Sequence, residues 1–422
     1  MLAAWVLTTL FLLPLYPKIG LLSVSGTYIP VRADDILIAI LGLVWAGHLI
    51  VQRRRPAAPP VVSGPAVSWV AITFVSLVVG TVVLGSISPI TGLAFWAKPL
   101  EYVLVGWIFY DLVSQRLVSM RAVLVTVFAS TTIVVTYAMA EHFGLAPHLP
   151  GLTPPPGVVT STFGDVHELA AYLGIVTIVL VATRHQLRGN LSWLALLALV
   201  PLVASMFFTA VRSEYVALGL CLLGLALWRP ARVPAIVGIS IMALLFAMPF
   251  VARLLPPVGS GQSPPAVVDP SDNVTERFLG FEVSSSFNER VNVKWRSMFD
   301  RTMRSPIIGL GPSAATEAAD GYYMRSFVES GIAGLTAFLV LIGALIVSAW
   351  RAARQASGFA KALAVGMVAS TAFVAMVSIL IDTWAASRVM ELYWPLMGTA
   401  LGAAARVTAL DRAPAEAVAL PA

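Results

Sequence analysis

Cysteine is almost missing from this 422-residue chain. The single residue, Cys221, excludes an internal disulfide and any site built from several thiolates, and its apolar surroundings predict a buried thiol. Charge is also scarce, because only 11% of the residues are Asp, Glu, Lys or Arg. With 58% hydrophobic residues and a mean hydropathy of +0.87, the chain lies outside the range of soluble globular proteins. We therefore expect a membrane protein.

Several signatures of catalysis and cofactor binding are absent as well. There is no glycine-rich phosphate loop with a lysine, no H-E-x-x-H and no D-x-D that would hold a metal-bound nucleotide sugar. The five histidines occur singly, without the spacing of metal ligands. These absences predict no metal site and no cofactor. The net charge of +6 is attributed to membrane topology, and no nucleic-acid partner is expected.

Long apolar stretches recur along the chain, each close to the roughly 17 to 25 residues that cross about 30 Å of hydrocarbon as an α-helix. They predict an all-α polytopic membrane protein, a single membrane domain over 1–422, with about twelve transmembrane helices. The predicted helices are 2–16, 35–51, 66–88, 93–113, 121–143, 167–183, 191–210, 213–228, 233–254, 323–349, 361–381 and 388–406. The first stretch has no basic leader and no A-x-A cleavage site, so we interpret it as a helix and not as a signal peptide.

Basic residues gather in every second connection between these helices. They are Arg53, Arg54, Arg55, Arg116, Arg121, Arg184, Arg188, Arg229, Arg232, Arg351, Arg354, Lys361, Arg406 and Arg412. These are fourteen of the 27 Lys and Arg residues, whereas the short connections on the opposite side hold four. The positive-inside rule therefore predicts cytoplasmic N- and C-termini.

One predicted outer connection, 253–322, is much longer than the others and is inserted between the ninth and tenth predicted helices. Its first half is rich in Pro, Gly and Ser and predicts irregular loop. Its second half, 287–304, has helical periodicity: Arg290, Lys294, Arg301 and Arg304 fall in a stripe about 80° wide at about 100° per residue. We expect an amphipathic helix across the outer mouth of the bundle.

The outer side also holds isolated charges with two interpretations each. Arg212 either lies at the interface and pairs with Glu214, or belongs to a site for phosphate. Arg325 either pairs with Glu329 four residues later or joins the same site. Guanidinium groups gathered at one membrane mouth are suited to holding phosphate or pyrophosphate through bidentate, charge-assisted hydrogen bonds.

Asp320 and the pair of Lys98 and Glu101 each allow two interpretations. Asp320 precedes a predicted helix, so it is either a helix cap or a general base that removes a proton from a hydroxyl acceptor. Lys98 and Glu101, three residues apart within a predicted helix, form a structural ion pair or line a cavity.

Several stretches together resemble the superfamily of O-antigen ligases and polymerases, which are bacterial glycosyltransferases of the inner membrane. In chain order the resembling stretches are "VRADDILIAILGLVW", "KPLEYVLVGWIFY", "STFGDVHELAAYLGI", "VRSEYVALGLCLLGLAL", "ERVNVKWRSMFDRTMRSPIIGLGPS", "DGYYMRSFVESGIAGL" and "IDTWAASRVMELYWPLMGTALG". Each motif is degenerate, and the specificity comes from the ordered set.

The resemblance implies an inverting, metal-independent transfer of glycan from an undecaprenyl-pyrophosphate-linked donor to a glycan or lipid acceptor, on the outer face of the cytoplasmic (inner) membrane. It aligns Arg212 and Arg290 with donor-binding arginines and Asp320 with the position of the base. With the outer charges described above, we expect further substrate contacts from Arg325, Lys294, Arg301, Arg388, Tyr323 and Glu329. Membrane lipids are expected partners.

The departures from the family pattern matter for the type of reaction. Family members that transfer O-antigen to the lipid A core use a histidine in the late outer loop, where this chain has Asp320, and the following Asn is replaced by Gly321. The sequence therefore favours a polymerase-like member or a ligase for another acceptor. A transporter or flippase for a lipid-linked or polyanionic substrate is the alternative from another class, and an inactive scaffold is a third.

Overall fold

The computed structural model describes residues 2–17, 20–22, 31–149, 157–254, 275–278, 281–284, 293–315 and 320–418. Thirteen α-helices lie in this part of the chain: α1 (Leu2–Leu12), α2 (Ala33–Val51), α3 (Pro60–Val78), α4 (Pro89–Ser114), α5 (Met120–His142), α6 (Val166–Thr183), α7 (Asn190–Phe207), α8 (Arg212–Leu227), α9 (Arg232–Leu254), α10 (Arg296–Thr302), α11 (Tyr322–Gln355), α12 (Gly358–Val377) and α13 (Ser387–Val418).

The all-α polytopic fold predicted from the sequence is confirmed. Each of the twelve predicted stretches contains a helix, and eight helices of the described chain are long and apolar enough to cross a membrane. The number of spans stays a prediction, since α1 has only 11 residues and α8 only 16. Two short antiparallel strand pairs interrupt the helical pattern: β1 (Gly20–Leu22) with β2 (Val31–Arg32), and β3 (Thr275–Phe278) with β4 (Phe281–Ser284).

The bundle core is built from aromatic rings and from close contacts between small residues. Trp384 packs edge-on against Trp69, Phe338 and Tyr393, and these rings join α3, α11 and α13. Cys221 is free and buried, as predicted. Small residues let membrane helices approach closely, and buried rings add packing energy without polar groups that need water.

Helix α11 is broken at Gly331, which has φ 64° and ψ −166°. The segment before α11 fits into this break: the Leu310 N–H donates to the Val328 carbonyl, and the Ile332 N–H donates to the Pro306 carbonyl, both at 2.9 Å. The preceding loop thus satisfies backbone groups that the break leaves open. It also fixes the first part of α11, residues 322–330, as a separate short helix beside the loop.

Replacing Gly331 with alanine is expected to lower the thermal midpoint of the protein in detergent. A Cβ there would lie 2.3 Å from the Ile307 carbonyl oxygen, and the positive φ disfavours L-residues. Together these effects correspond to about 1 to 3 kcal/mol or more. Gly343→Ala, in the same helix, is the matched control, because nothing lies within 4 Å of its added Cβ. That control should hold or raise the midpoint, and an equal midpoint for both variants would contradict the assigned break.

Candidate functional site

The first wall of the site is the start of α6. Gly164 adopts φ 64° after a short 3-10 turn and redirects the chain, and Asp165 then takes the N-cap position. One carboxylate oxygen of Asp165 accepts from the backbone N–H groups of His167 and Glu168, both at 2.9 Å. This capping places His167 and Glu168 in the first turn of α6.

The second wall is the start of α11. The N-cap residue is Gly321, with φ 107°, and a Cβ at that position would lie 2.4 Å from the Ile379 carbonyl oxygen. Asp320 therefore lies one residue before the cap position. Its Oδ2 accepts from Lys294 Nζ at 2.9 Å, and its carbonyl accepts from the Trp295 indole N–H at 2.6 Å. These bonds tie the segment leading into α10 to the start of α11.

The third wall is the connection between α12 and α13. The Tyr322 N–H donates to the Ser378 carbonyl at 2.8 Å, so this connection is fixed to the start of α11. A cavity of about 290 Å³ lies between the three walls. Its titratable lining residues are Asp165, His167, Glu168, Asp320 and Asp382. The cavity is therefore rich in carboxylates.

Cations beside the cavity offset part of this negative charge. Arg325 donates from Nε to Asp382 Oδ2 at 2.9 Å and from an amino group to Glu329 Oε1 at 3.2 Å. Burial raises the pKa of Asp382, the nearby Arg325 guanidinium opposes this shift, and the negative charge of Asp320 adds to it. The predicted Arg325–Glu329 pair is thus present, with Asp382 as a second partner.

Arg212 is the first residue of α8. Two residues later, the buried carboxylate of Glu214 contacts His167 Nδ1 at 3.4 Å and accepts from the Ser213 hydroxyl at 2.7 Å. Arg212 itself is exposed and makes no ion pair with any residue the structure describes. The interpretation of Arg212 as the partner of Glu214 is therefore wrong, because His167 and Ser213 occupy that carboxylate.

The other residues predicted for the site lie in different surroundings. Arg301 is on α10 and donates to the Ala314 carbonyl at 3.1 Å. The Tyr323 hydroxyl donates to the Ala375 carbonyl at 2.9 Å, and Glu329 accepts from the Ser313 N–H at 3.1 Å. None of these three side chains lines the cavity. Arg290, and with it the first part of the predicted 287–304 helix, lies outside the described residues; α10 covers only the last part of that prediction.

Arg388 is not available to the cavity. It is 3% exposed, donates to the Thr162 and Tyr16 carbonyls, and lies 5.2 Å from the centroid of the Phe163 ring. The guanidinium instead connects the start of α13 to the turn before α6 and to the end of the α1 region. The expectation that Arg388 contacts substrate does not agree with this burial, because its two amino groups donate to two backbone carbonyls.

A second group of ionisable side chains lies between α2, α4 and α13. Lys98 pairs with Glu101 at 3.2 Å, as predicted, and also with Asp35. Asp34 and Glu391 are buried in the same region, and none of their carboxylate oxygens has a hydrogen-bond partner among the described residues. The positive charge of Lys98 therefore partly compensates the negative charge of several carboxylates.

Sequence reasoning missed His167, Glu168, Asp382 and Glu214 as site residues. His167 and Glu168 follow the Gly-Asp capping signal, and Asp382 lies in a short predicted outer connection. Listing the ionisable residues of every predicted outer connection would have selected them, because the predicted topology puts all these connections on one side of the membrane. No group of three or more His, Cys, Asp or Glu side chains in the described part of the chain is arranged to hold a metal.

The comparisons with known proteins agree with the family resemblance. Residues 196–334 match the family model described as O-antigen ligase, and this match runs from within α7 into the first part of α11. It includes Arg212, α10, Asp320 and the break at Gly331. The resemblance to the O-antigen ligase and polymerase superfamily is thereby confirmed for about a third of the chain. No match to a curated protein was found.

Proposed function

We propose that this protein is a glycosyltransferase that transfers or polymerises glycan carried on undecaprenyl pyrophosphate, at the outer face of the cytoplasmic membrane. The family match supports an O-antigen ligase-like enzyme in general. The single observation that carries the finer proposal is the cavity of about 290 Å³, in which the lining carboxylates Asp320 and Asp382 are paired with Lys294 and Arg325.

The two kinds of charge fit the two halves of a glycosyl transfer. The acceptor hydroxyl loses a proton while its oxygen attacks the anomeric carbon, and a carboxylate such as Asp320 accepts that proton. The bond from the anomeric carbon to the pyrophosphate oxygen breaks, and the departing pyrophosphate carries the electron pair. Cations at that oxygen stabilise the developing charge. Because attack and departure occur on opposite faces, the anomeric configuration inverts.

Arg212 is the cation most available for the leaving group. Its guanidinium is exposed and unpaired within the described chain, whereas Arg325 is 6% exposed and already matched by two carboxylates. A guanidinium that is not already paired binds phosphate oxygens without breaking an existing ion pair. Arg290, which the resemblance aligns with a second donor-binding arginine, is expected to complete this cation pair.

The acidic residue at 320 favours a polymerase, or a ligase for an acceptor other than the lipid A core, over a lipid A core ligase. A carboxylate and a neutral imidazole both accept a proton, so Asp320 can take the base position that a histidine holds in the lipid A core ligases.

The test of this function separates an enzyme from a transporter. Purified protein is reconstituted in vesicles with an undecaprenyl-pyrophosphate oligosaccharide in the accessible leaflet, without nucleotide sugars and with a chelator present. We expect longer glycan, or glycan joined to an added acceptor, detected by mass spectrometry. Movement of the lipid between leaflets without a new glycosidic bond would instead identify a transporter.

A further inference from the structure

A large groove lies away from the candidate site, between α5, α6 and α7. Its volume is about 1410 Å³, above the roughly 300 to 1,000 Å³ of ordinary small-molecule pockets. Apolar side chains form most of its lining, including Leu124, Phe128, Leu180 and Leu194. A groove of this size and composition suits hydrocarbon chains.

The hydroxyl groups in the groove do not make it polar. Thr132 donates to the Phe128 carbonyl at 2.8 Å, and Thr136 donates to the Thr132 carbonyl at 2.7 Å. Thr183 likewise donates to the Val179 carbonyl at 2.7 Å. Because each donor is used within its own helix, the groove offers an occupant methyl and methylene surface along its length.

One end of the groove has a different chemistry. Arg121, His185 and Arg188 line it there, and no Asp or Glu is present in its described lining. Both arginines are exposed, and Arg121 lies over the Phe359 ring at 5.8 Å. His185 packs edge-on against the Trp228 ring, with 5.2 Å between the ring centroids. This end thus carries two exposed positive charges, which match an anionic headgroup.

The depth of the groove indicates which kind of lipid fits it. On α7 the lining runs from Leu191 to Leu202, which is about 17 Å at about 1.5 Å per residue. That depth corresponds to one leaflet of a hydrocarbon core about 30 Å thick. The lining on α5 is longer, from Arg121 to Met139, or about 27 Å at about 1.5 Å per residue. The groove is walled on more than one side only over the depth of one leaflet, and this part fits a two-chain phospholipid better than a single long polyprenyl chain.

We infer that this groove binds an anionic phospholipid, with the acyl chains along α5, α6 and α7 and the phosphate headgroup between Arg121 and Arg188. Basic pockets between membrane helices bind anionic headgroups through the surplus of positive charge. The basic end lies on the side that the distribution of arginines predicts to be cytoplasmic. The bound lipid belongs to that leaflet and is separate from the glycan donor at the opposite side.

The test uses full-length protein in detergent and native mass spectrometry with two probes, palmitoyl-oleoyl phosphatidylglycerol and the corresponding phosphatidylcholine. We expect wild-type protein to retain phosphatidylglycerol preferentially. Arg121→Gln/Arg188→Gln should reduce retention of that lipid by about 10- to 30-fold, because two headgroup contacts are lost. Arg229→Gln/Arg351→Gln is the matched control: these exposed arginines lie on the same predicted side but outside the groove, and retention should be unchanged.

A second pair of variants tests the acyl-chain part. Ala198→Trp should fill the groove and displace phosphatidylglycerol, whereas Leu197→Trp, on an exposed neighbour outside the lining, should not. Equal retention by wild type and by the Arg121/Arg188 double variant would overturn the inference. So would preferential retention of undecaprenyl phosphate when it competes with phosphatidylglycerol. The readout is lipid mass, so it stays independent of transfer activity.

Discussion

Replacing Arg212 with alanine is expected to lower the rate of glycan transfer by about 10²- to 10³-fold, the range for losing one group that stabilises transition-state charge. Arg212 is exposed, so its loss should leave the thermal midpoint nearly unchanged. Arg212→Lys should recover only part of the rate, because an ammonium group replaces the bidentate fork by a point charge. The measurement is initial rate with purified protein and a defined lipid-linked donor.

Arg229→Ala is the matched control for this prediction. Arg229 is also exposed and follows the opposite end of α8, so the substitution removes the same charge far from the cavity. Its rate should equal that of wild type. If Arg212→Ala also transfers glycan at the wild-type rate, Arg212 does not contact the leaving group and the proposed donor position is wrong.

Asp320→Asn is expected to reduce transfer by about 10²- to 10⁴-fold, the range for loss of a positioned general base. The amide keeps the size of the side chain and an oxygen that accepts from Lys294 Nζ, but it does not take up the acceptor proton. The residual rate should rise towards high pH, where hydroxide replaces the missing base. Asp300→Asn, an exposed carboxylate on α10, should have no effect.

A purely structural role for Asp320 leads to a different pattern. If Asp320 only holds Lys294, then Lys294→Met should impair transfer as strongly as Asp320→Asn, and both variants should lose thermal stability together. Wild-type activity in Asp320→Asn would exclude the base role. The structure already places Asp320 one residue before the N-cap, so a cap in the strict sense is not the remaining explanation.

The sequence predicted the helices well because their signal is local. Each long apolar stretch specifies a helix by its own length and composition, and the twelve predicted stretches all contain one. The break at Gly331 was not predicted, because it depends on the backbone of residues 306–311 approaching α11. The sequence alone shows neither that approach nor the partner for a glycine with positive φ.

The site was predicted in part for a similar reason. Asp320 was recognised from a motif and lines the cavity, whereas the role of Arg212 and the common side of these charges stay predictions. Asp382 and His167 were missed because the residues around them match no catalytic motif. They line one cavity because three segments that are distant in sequence lie close together in the fold. Arg388 shows the opposite error. Its charge led us to expect a substrate contact, but its guanidinium donates to two backbone carbonyls that are distant in sequence.

The most direct measurement of the central claim is the stoichiometry of transfer by the purified protein. Wild-type protein, an undecaprenyl-pyrophosphate oligosaccharide and an acceptor are combined without nucleotide sugar or added metal, and products are quantified by mass spectrometry. The account predicts one undecaprenyl pyrophosphate released for each new glycosidic bond, with inverted anomeric configuration, and loss of both products in Arg212→Ala. Release of the lipid pyrophosphate without a new bond, or no reaction with a folded wild-type protein, would contradict it.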